Sequence, residues 1–333
     1  MLSNKNILLT FDYEPFLGKR SGTIDKCIIE PTNALRNILC KYNAKAVFFV
    51  DVLFVEKLRN IPELKADYEK IANQIQFLFL EGHYIYPHIH PHWLDAIYTG
   101  NGEFDLSNLK KYSMGSLQNK DVKKLFNIAF NILDDIGISY VDWGYRAGGW
   151  CIQPFKTFKQ VLESHNIKFE FSVLPGYKCN SIVQSFDYSS VKIVTPYSFS
   201  NYVENVDIDG EFVEFPISTI QISDGNLFFD RLVTKFLWKK GDRGFGDGLS
   251  AETASLKTNS FNREMVSLDI LNISKVGIYK NFLKNNDYMH WISHPKMFTK
   301  HGLKVFDKFL THATSNYIVN FDFVNMYKKN NYK

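Results

Sequence analysis

Residues 5–14 read KNILLTFDYE. Within them Ile7–Phe11 is apolar apart from Thr10, too short a run for a helix and without the alternation of a half-exposed strand. A short run of this kind predicts a strand covered on both faces, as in a parallel sheet flanked by helices. The strand delivers Asp12, Tyr13 and Glu14 at its carboxyl end. Side chains alternate along an extended segment, so Asp12 and Glu14 point the same way and Tyr13 the other.

Working outward, the pattern repeats. A helix is predicted from Pro31 to Lys41, then a second buried strand over Ala46–Val50. Pro62 opens a further helix whose Leu64, Tyr68, Ile71, Ile75 and Leu78 share one face, and Gly82 ends it. Asn119 is read as the cap of a helix carrying Val122, Leu125, Phe126, Ala129, Ile132 and Leu133, closed by Gly137. Another helix begins at Pro154, and Ile167, Phe169, Phe171 and Val173 alternate as a strand. Val191–Val194 and Phe212–Ile220 read as strands, Arg263–Lys284 as a helix, and YMHWISHP (288–295) as a late strand, with one short helix and strand closing the chain. Thr99–Ser116 reads as a rim loop. Residues 241–260, rich in glycine and without periodicity, form an irregular insertion or lid. Strands alternating with helices, and no break of linker composition, predict a single parallel α/β domain over residues 1–333.

The chemistry concentrates in EGHYIYPHIHPHW, residues 81–93. Of the nine histidines in the chain, His83, His88, His90 and His92 fall in this one stretch. Neutral imidazole is the commonest protein ligand for zinc and related divalent ions, so the clustering favours a metal site over a strand end whose histidines merely cap backbone groups. In parallel α/β folds chemistry gathers at the carboxyl ends of strands. Asp12, Glu14, the histidine cluster, Arg146 and His294 all fall at predicted strand ends.

Composition narrows the rest. Hydrophobic residues make up 45% and charged residues 22% of the 333, ordinary for a globular protein able to bury a large core. Aromatics reach 16%, which base composition explains as readily as sugar stacking. A net charge of +4, from 39 basic and 35 acidic residues, is spread along the chain, and no patch for nucleic acid or a membrane stands out. Cys27, Cys40, Cys151 and Cys179 form no CxxC pair. No apolar run approaches the ~20 residues of a membrane span, and the amino terminus lacks the pattern of a signal peptide. A reduced, cytoplasmic setting is the expectation.

These segments, in this order, resemble the polysaccharide deacetylase family, the NodB-homology domain of carbohydrate esterase family 4. Thr10-Phe11-Asp12-Tyr13-Glu14 stands where that family has TFDDG; Gly82, His83, His88 and His92 match its G-H-x-x-x-x-H-S/T-x-x-H motif, with Ile89 in place of the small hydroxyl residue. Tyr145-Arg146-Ala147-Gly148-Gly149-Trp150 resembles a variant of its Arg-x-Pro motif, and Trp291-Ile292-Ser293-His294-Pro295 its late histidine. The family's fourth motif, an Asp and a Trp, has no clear counterpart; Glu214 is the nearest candidate. The resemblance covers roughly residues 8–323, with Gly241–Ser260 outside it. It implies a deformed seven-stranded (β/α) barrel and a metal-dependent hydrolase that removes an N-acetyl group from an acetamido sugar of a glycan or glycan precursor. An inactive glycan-binding relative and an amidase acting on non-sugar amides are the alternatives.

The residues divide into roles accordingly. Asp12 is the base, Arg146 keeps it ionised and aimed, and His294 is the acid, with His290 competing for that duty. Glu14, His88 and His92 are the expected ligands of a divalent ion, most simply Zn2+, with water completing the sphere. Glu14 is preferred to Tyr13 because a phenol is not ionised near neutral pH. His92 is preferred to His90 because Pro91 bends the chain; a set of His88, His90 and His92 is the rival. Tyr145, Trp150 and Trp93 are the expected walls against a sugar ring. Glu170, Asp142 and Asp209 carry no assigned role.

Overall fold

The computed structural model describes residues 2–107, 114–181, 184–250, 257–258 and 262–331. Its centre is a run of seven mutually parallel strands: β1 (Asn4–Tyr13), β2 (Val47–Asp51), β3 (Tyr84–Ile89), β4 (Trp143–Ala147), β5 (Ile167–Glu170), β6 (Phe212–Glu214) and β7 (Tyr288–Ser293). Their spatial order is β6–β5–β4–β3–β2–β1–β7. Strand Tyr197–Phe199 adds antiparallel to the outer edge of β6, and Ile318–Asn320 pairs with the start of β1. The first and last of the seven in sequence, β1 and β7, are neighbours, so the two ends of the chain share one sheet.

The sheet is curled into a half-barrel and laced shut by backbone. Phe215–Ser218, just beyond β6, bonds to both flanks: Phe215 N–H donates to Glu170 O at 2.8 Å and Ile217 N–H to Val173 O at 2.9 Å, while Ser218 N–H reaches His290 O on β7 at 3.3 Å. Helices α1 (Glu30–Lys41), α2 (Val52–Asn60), α3 (Lys65–Leu80), α4 (Asn119–Asp135), α5 (Lys156–Ser164), α6 (Asp224–Lys239), α7 (Ile273–Asn285) and α8 (Lys300–Asn316) include the layer outside the strands. Strand alternation divides the core in two. On β1, Leu9, Phe11 and Tyr13 face the helices, and Tyr13 donates to Gln74 on α3 at 2.7 Å. Thr10, Asp12 and Glu14 face the interior. Inside the barrel an aromatic plug of Phe49, Tyr86, Phe171 and Phe215 carries the polar layer above it.

Three expected elements differ. Residues 191–194 form no strand; the strand comes at Tyr197–Phe199. Phe212–Ile220 splits into β6 and a separate strand, Thr219–Gln221, because the closing segment lies between them. The helix expected from Arg263 begins only at Ile273, since Arg263–Met265 pairs antiparallel with Thr219–Gln221. Thr99–Ser116 begins within a small hairpin, Ile97–Gly100 with Glu103–Asp105, and its residues 108–113 lie outside the described ones. The expected insertion at 241–260 is described only to 250 and at 257–258.

Plug packing leaves no spare volume beside Gly144. A Cβ there would sit 2.4 Å from two Tyr86 ring atoms and 2.8 Å from the Phe171 ring. Gly144→Ala therefore forces buried rings aside, and we expect it to cost about 1–3 kcal/mol in chemical denaturation.

Candidate metal centre and acid–base site

The carboxyl ends of β1, β3, β4 and β7 meet over the plug. Arg146 on β4 is fully buried with its guanidinium 4.2 Å from the centre of the Phe49 ring. Its Nη1 donates to Asp12 Oδ1 at 2.5 Å and its Nη2 to Thr10 Oγ1 at 2.8 Å, while Nε donates to Phe171 O at 3.0 Å. His290 lies within 3.1 and 3.2 Å of the carbonyls of Phe215 and Pro216 through Nδ1, which therefore carries the proton. Its Nε2 accepts from Arg146 Nη2 at 3.1 Å. Burial, reinforced by the Arg146 charge, holds the His290 imidazolium form well below the usual range. His290 is thus a neutral brace for Arg146. Burial alone would raise the pKa of Asp12; Arg146, then His88 and His294, outweigh it and keep the carboxyl below its ordinary value.

His294 follows β7 and presents Nε2 3.6 Å from Asp12 Oδ2 and 3.9 Å from Glu14 Oε1. Its Nδ1 is held by Asp269 Oδ2 at 2.7 Å, and the other Asp269 oxygen accepts from the His294 backbone N–H at 2.7 Å. Burial pulls the imidazolium down, but Asp269 more than compensates, so His294 is more basic than an ordinary histidine. Its side chain is 22% exposed against 5% for Asp12, which makes His294 the histidine a substrate can reach. Asp269 was not anticipated from the sequence. It sits in a loop before α7, with nothing in its local sequence to mark it.

Beside this dyad, Glu14, His88 and His90 bring one donor atom each within 4.8 Å of one another, all buried. Glu14 Oε2 is 2.9 Å from His90 Nε2 and 3.4 Å from His88 Nε2, and the two Nε2 atoms are 2.8 Å apart. His88 Nδ1 faces Arg146 O at 2.8 Å and must donate to it, so Nε2 presents its lone pair to the cluster. Two imidazole nitrogens and a carboxylate oxygen crowded together in a buried space are the donor set of a borderline-soft divalent cation. These residues fit a metal ion.

His92, expected in the ligand set, is replaced by His90 in this group. The bend comes after His90, where Pro91 was expected to put it, but it is His92 that it takes out of line with His88. His90 stays extended at φ −107° and ψ 98°, so it shares a face with His88, while His92 falls in the 3-10 turn Pro91–Asp95. The His92 ring lies behind, 4.8 Å from that of His90.

Lys296, two residues after His294, was not anticipated. Its ammonium donates to Glu14 Oε1 and to Pro15 O, both at 2.7 Å. Burial would raise the Glu14 pKa, yet Lys296 and then His90 bring it well below normal. Lys296 occupies one carboxylate oxygen and leaves Oε2 for the histidines. Asp51, the register partner of His88, is also unanticipated: burial and the charge of Glu14 push its pKa up to about 8, and it accepts from Trp93 Nε1.

That bond corrects the role expected of Trp93. The indole is fully buried between Phe54 and Phe104 and forms no wall. Tyr145 is likewise buried; alternation on β4 turns it away from Arg146 and toward Phe126 of α4. Trp150 alone of the three is half-buried, its ring 6.2 Å from that of Phe186.

Neither a family model nor a curated protein matches this sequence. Among solved structures the chain is similar to 4-α-glucanotransferase from Thermococcus litoralis, at 10% identity and a TM-score of 0.50, over 96% of this chain and 39% of that one. It is also similar to a Mycobacterium smegmatis protein assigned as a polysaccharide deacetylase, at 14% identity and a TM-score of 0.48, over 96% and 87%. Puue allantoinase gives 9% and 0.47, over 95% and 86%. Likeness at these identities concerns the fold alone.

Glu170 and Glu214 form a second acidic feature. They are register partners on β5 and β6 and are buried. Ser172 N–H and Oγ–H serve Glu170 at 2.8 and 2.5 Å, and Val173 N–H serves Glu214 at 3.0 Å. Burial and then the Glu170 charge push the Glu214 pKa well above the usual carboxylate range. A folded-state pKa above the unfolded value gives stability that is complete below the unfolded pKa and is lost as pH rises through the folded one. Glu214→Gln mimics the protonated acid. Its unfolding free energy should fall less than that of the wild type between pH 5 and pH 9, as measured by urea titration at each pH.

Proposed function

We propose that this protein is a metal-dependent hydrolase that removes the N-acetyl group from an acetamido sugar of a glycan or glycan precursor. The observation that carries the proposal is the meeting, at one end of the barrel, of an ionised base, a reachable acid and a three-donor cluster. Glu14, His88 and His90 would hold the ion, most simply Zn2+. When bound, it lowers the pKa of a coordinated water and polarises an acyl oxygen.

The chain's own groups do the rest. Asp12, fixed by Arg146, accepts a proton from the attacking water without being a ligand. His294, kept basic and aimed by Asp269, carries a proton to the departing nitrogen, a step worth roughly 10²–10⁴ in rate. Trp150 offers the rim a half-exposed aromatic face for a sugar ring. Lys296 limits Glu14 to one free oxygen, which suits an ion of low coordination number.

One observation favours a second reading. Lys296 already places a cation on Glu14, so a metal-free, inactive glycan-binding site is the alternative. Acetate release from chitooligosaccharide or a lipid-linked acetamido sugar, abolished by chelator and restored by metal, separates the two. A purified protein without bound divalent metal, unable to take one up, would favour the binder.

His90→Ala should lose bound metal by at least about tenfold in affinity, whereas His92→Ala should keep most of it, both read by calorimetry. The reverse pattern restores His92 to the ligand set. Asp269→Asn removes the anion that raises His294, so the alkaline limb of the rate profile should move to lower pH and turnover should fall roughly tenfold or more. Metal content should be unchanged.

A further inference from the structure

Helix α6 carries more apolar surface than the body covers. None of its residues is buried. Its inward side is half-buried at Leu227, Asp230, Val233, Thr234 and Leu237, and hydrogen bonds tie it to the body: Asp230 accepts from Asn272 Nδ2 at 2.8 Å and Ser274 Oγ at 2.6 Å, and Thr234 Oγ1 lies 3.1 Å from Asn272 Nδ2. The opposite face carries large apolar side chains in the open, with Phe228 64%, Phe229 52%, Leu232 49% and Phe236 59% exposed. Phe228, Leu232 and Phe236 recur every four residues, so they form one stripe, and Phe229 lies beside it. A surface helix ordinarily turns such a stripe inward.

Charge indicates what covers it. Arg231, Lys235 and Lys239 are exposed along the stripe, and Lys240 caps the helix. The acidic residues are engaged elsewhere: Asp230 faces Asn272, and Asp224 at the amino end accepts from Asn262. The outward face is therefore apolar and basic. A second copy of the chain would set these cations against themselves in a two-fold contact. At 16 residues the helix is about 24 Å long and too basic to cross a bilayer. An anionic surface with an apolar interior satisfies both features at once, the lysine stems extending to the headgroups.

We propose that α6 lies in the surface of an anionic lipid bilayer, with Phe228, Phe229, Leu232 and Phe236 among the acyl chains and the basic residues at the headgroups. The chain leaving α6 runs directly to the site: Phe245 N–H donates to Phe298 O at 2.8 Å and Gly246 N–H to Lys296 O at 2.9 Å. Docking through α6 thus holds the loop bearing Lys296 close to the membrane. On the hydrolase reading, on which this step rests, the substrate is an acetamido sugar carried by a membrane lipid.

Flotation of the full chain with vesicles tests the docking without any substrate. Vesicles of three parts phosphatidylcholine to one of phosphatidylglycerol should bind the protein, and phosphatidylcholine alone far less. Lys235→Ala with Lys239→Ala should weaken binding roughly thirtyfold, about fivefold for each charge near an anionic surface. Phe228→Ser with Leu232→Ser and Phe236→Ser should abolish it, with the circular dichroism unchanged because these side chains are exposed. No binding to anionic vesicles, or equal binding by the variants, overturns the proposal. So does a dimer in sedimentation that the triple variant dissolves while vesicles bind nothing. Failed flotation leaves the hydrolase reading intact, and failed acetate release leaves the docking intact.

Discussion

The guanidinium of Arg146 is the constraint on which the interior of this barrel depends. It starts on β4 and reaches Asp12 on β1, three strands away, and His290 on β7, one strand further. Neighbouring strands are about 4.8 Å apart, so a flat sheet would separate β4 from β1 by roughly 14 Å. Only a curled sheet lets one side chain span that gap. The group is fully buried, where an unpaired charge would cost several kcal/mol, so its partners are obligatory. Asp12 supplies the counter-charge, Thr10, His290 and the Phe171 carbonyl accept from its other donors, and the Phe49 ring supports its face. The fold and the proposed base are fixed by the same bonds.

This dependence explains which parts of the site were legible in the sequence. Buried strands announce themselves by unbroken apolar runs, and parallel topology puts the residues after them at one end. Asp12, Glu14, His88, Arg146 and His294 follow from those two facts. The exchange of His90 for His92 turned on which histidine the proline bend displaces: His90 before it stays extended beside His88, and His92 beyond it does not. Tyr145 and Trp93 were misread through face and depth: both lie beside candidate site residues in sequence, but one points to the helix layer and the other is enclosed. Asp269, Lys296 and Asp51 enter from other segments. Their roles come from apposition across long sequence distances, and no local pattern records it.

Within the site, environment separates groups of similar chemistry. Four carboxyls lie in or near it, and each is set differently. Asp12 is ionised by Arg146, and Glu14 by Lys296 and the histidines. Asp51 is pushed up by burial and the Glu14 charge, while Asp269 spends both oxygens on His294. The histidines divide likewise. His290 is locked neutral between carbonyls and Arg146, His88 donates to a carbonyl and offers its other nitrogen, and His294 alone is both basic and reachable. Acid and base roles need pKa values driven apart, and the surroundings of Asp12 and His294 push theirs in opposite directions.

The segment after α6 joins the outward face of the molecule to this charge pattern. A Cβ on Gly246 would lie 2.4 Å from the Phe16 ring and 2.9 Å from Lys296 O, and one on Gly248 2.5 Å from Phe16. Glycine is required at both because the backbone passes directly over Phe16, whose ring lies 5.5 Å from the Lys296 ammonium. Asp247 is tied to Thr23 by bonds from both its N–H and its hydroxyl, at 2.9 Å each. The glycine-rich stretch thus clamps the loops that follow β1 and β7, one carrying Glu14 and the other Lys296. Its low periodicity reflects a backbone selected for close passage. The same stretch continues from α6, so one run of backbone joins the helix to the contacts with Phe16 and Lys296 that border Glu14.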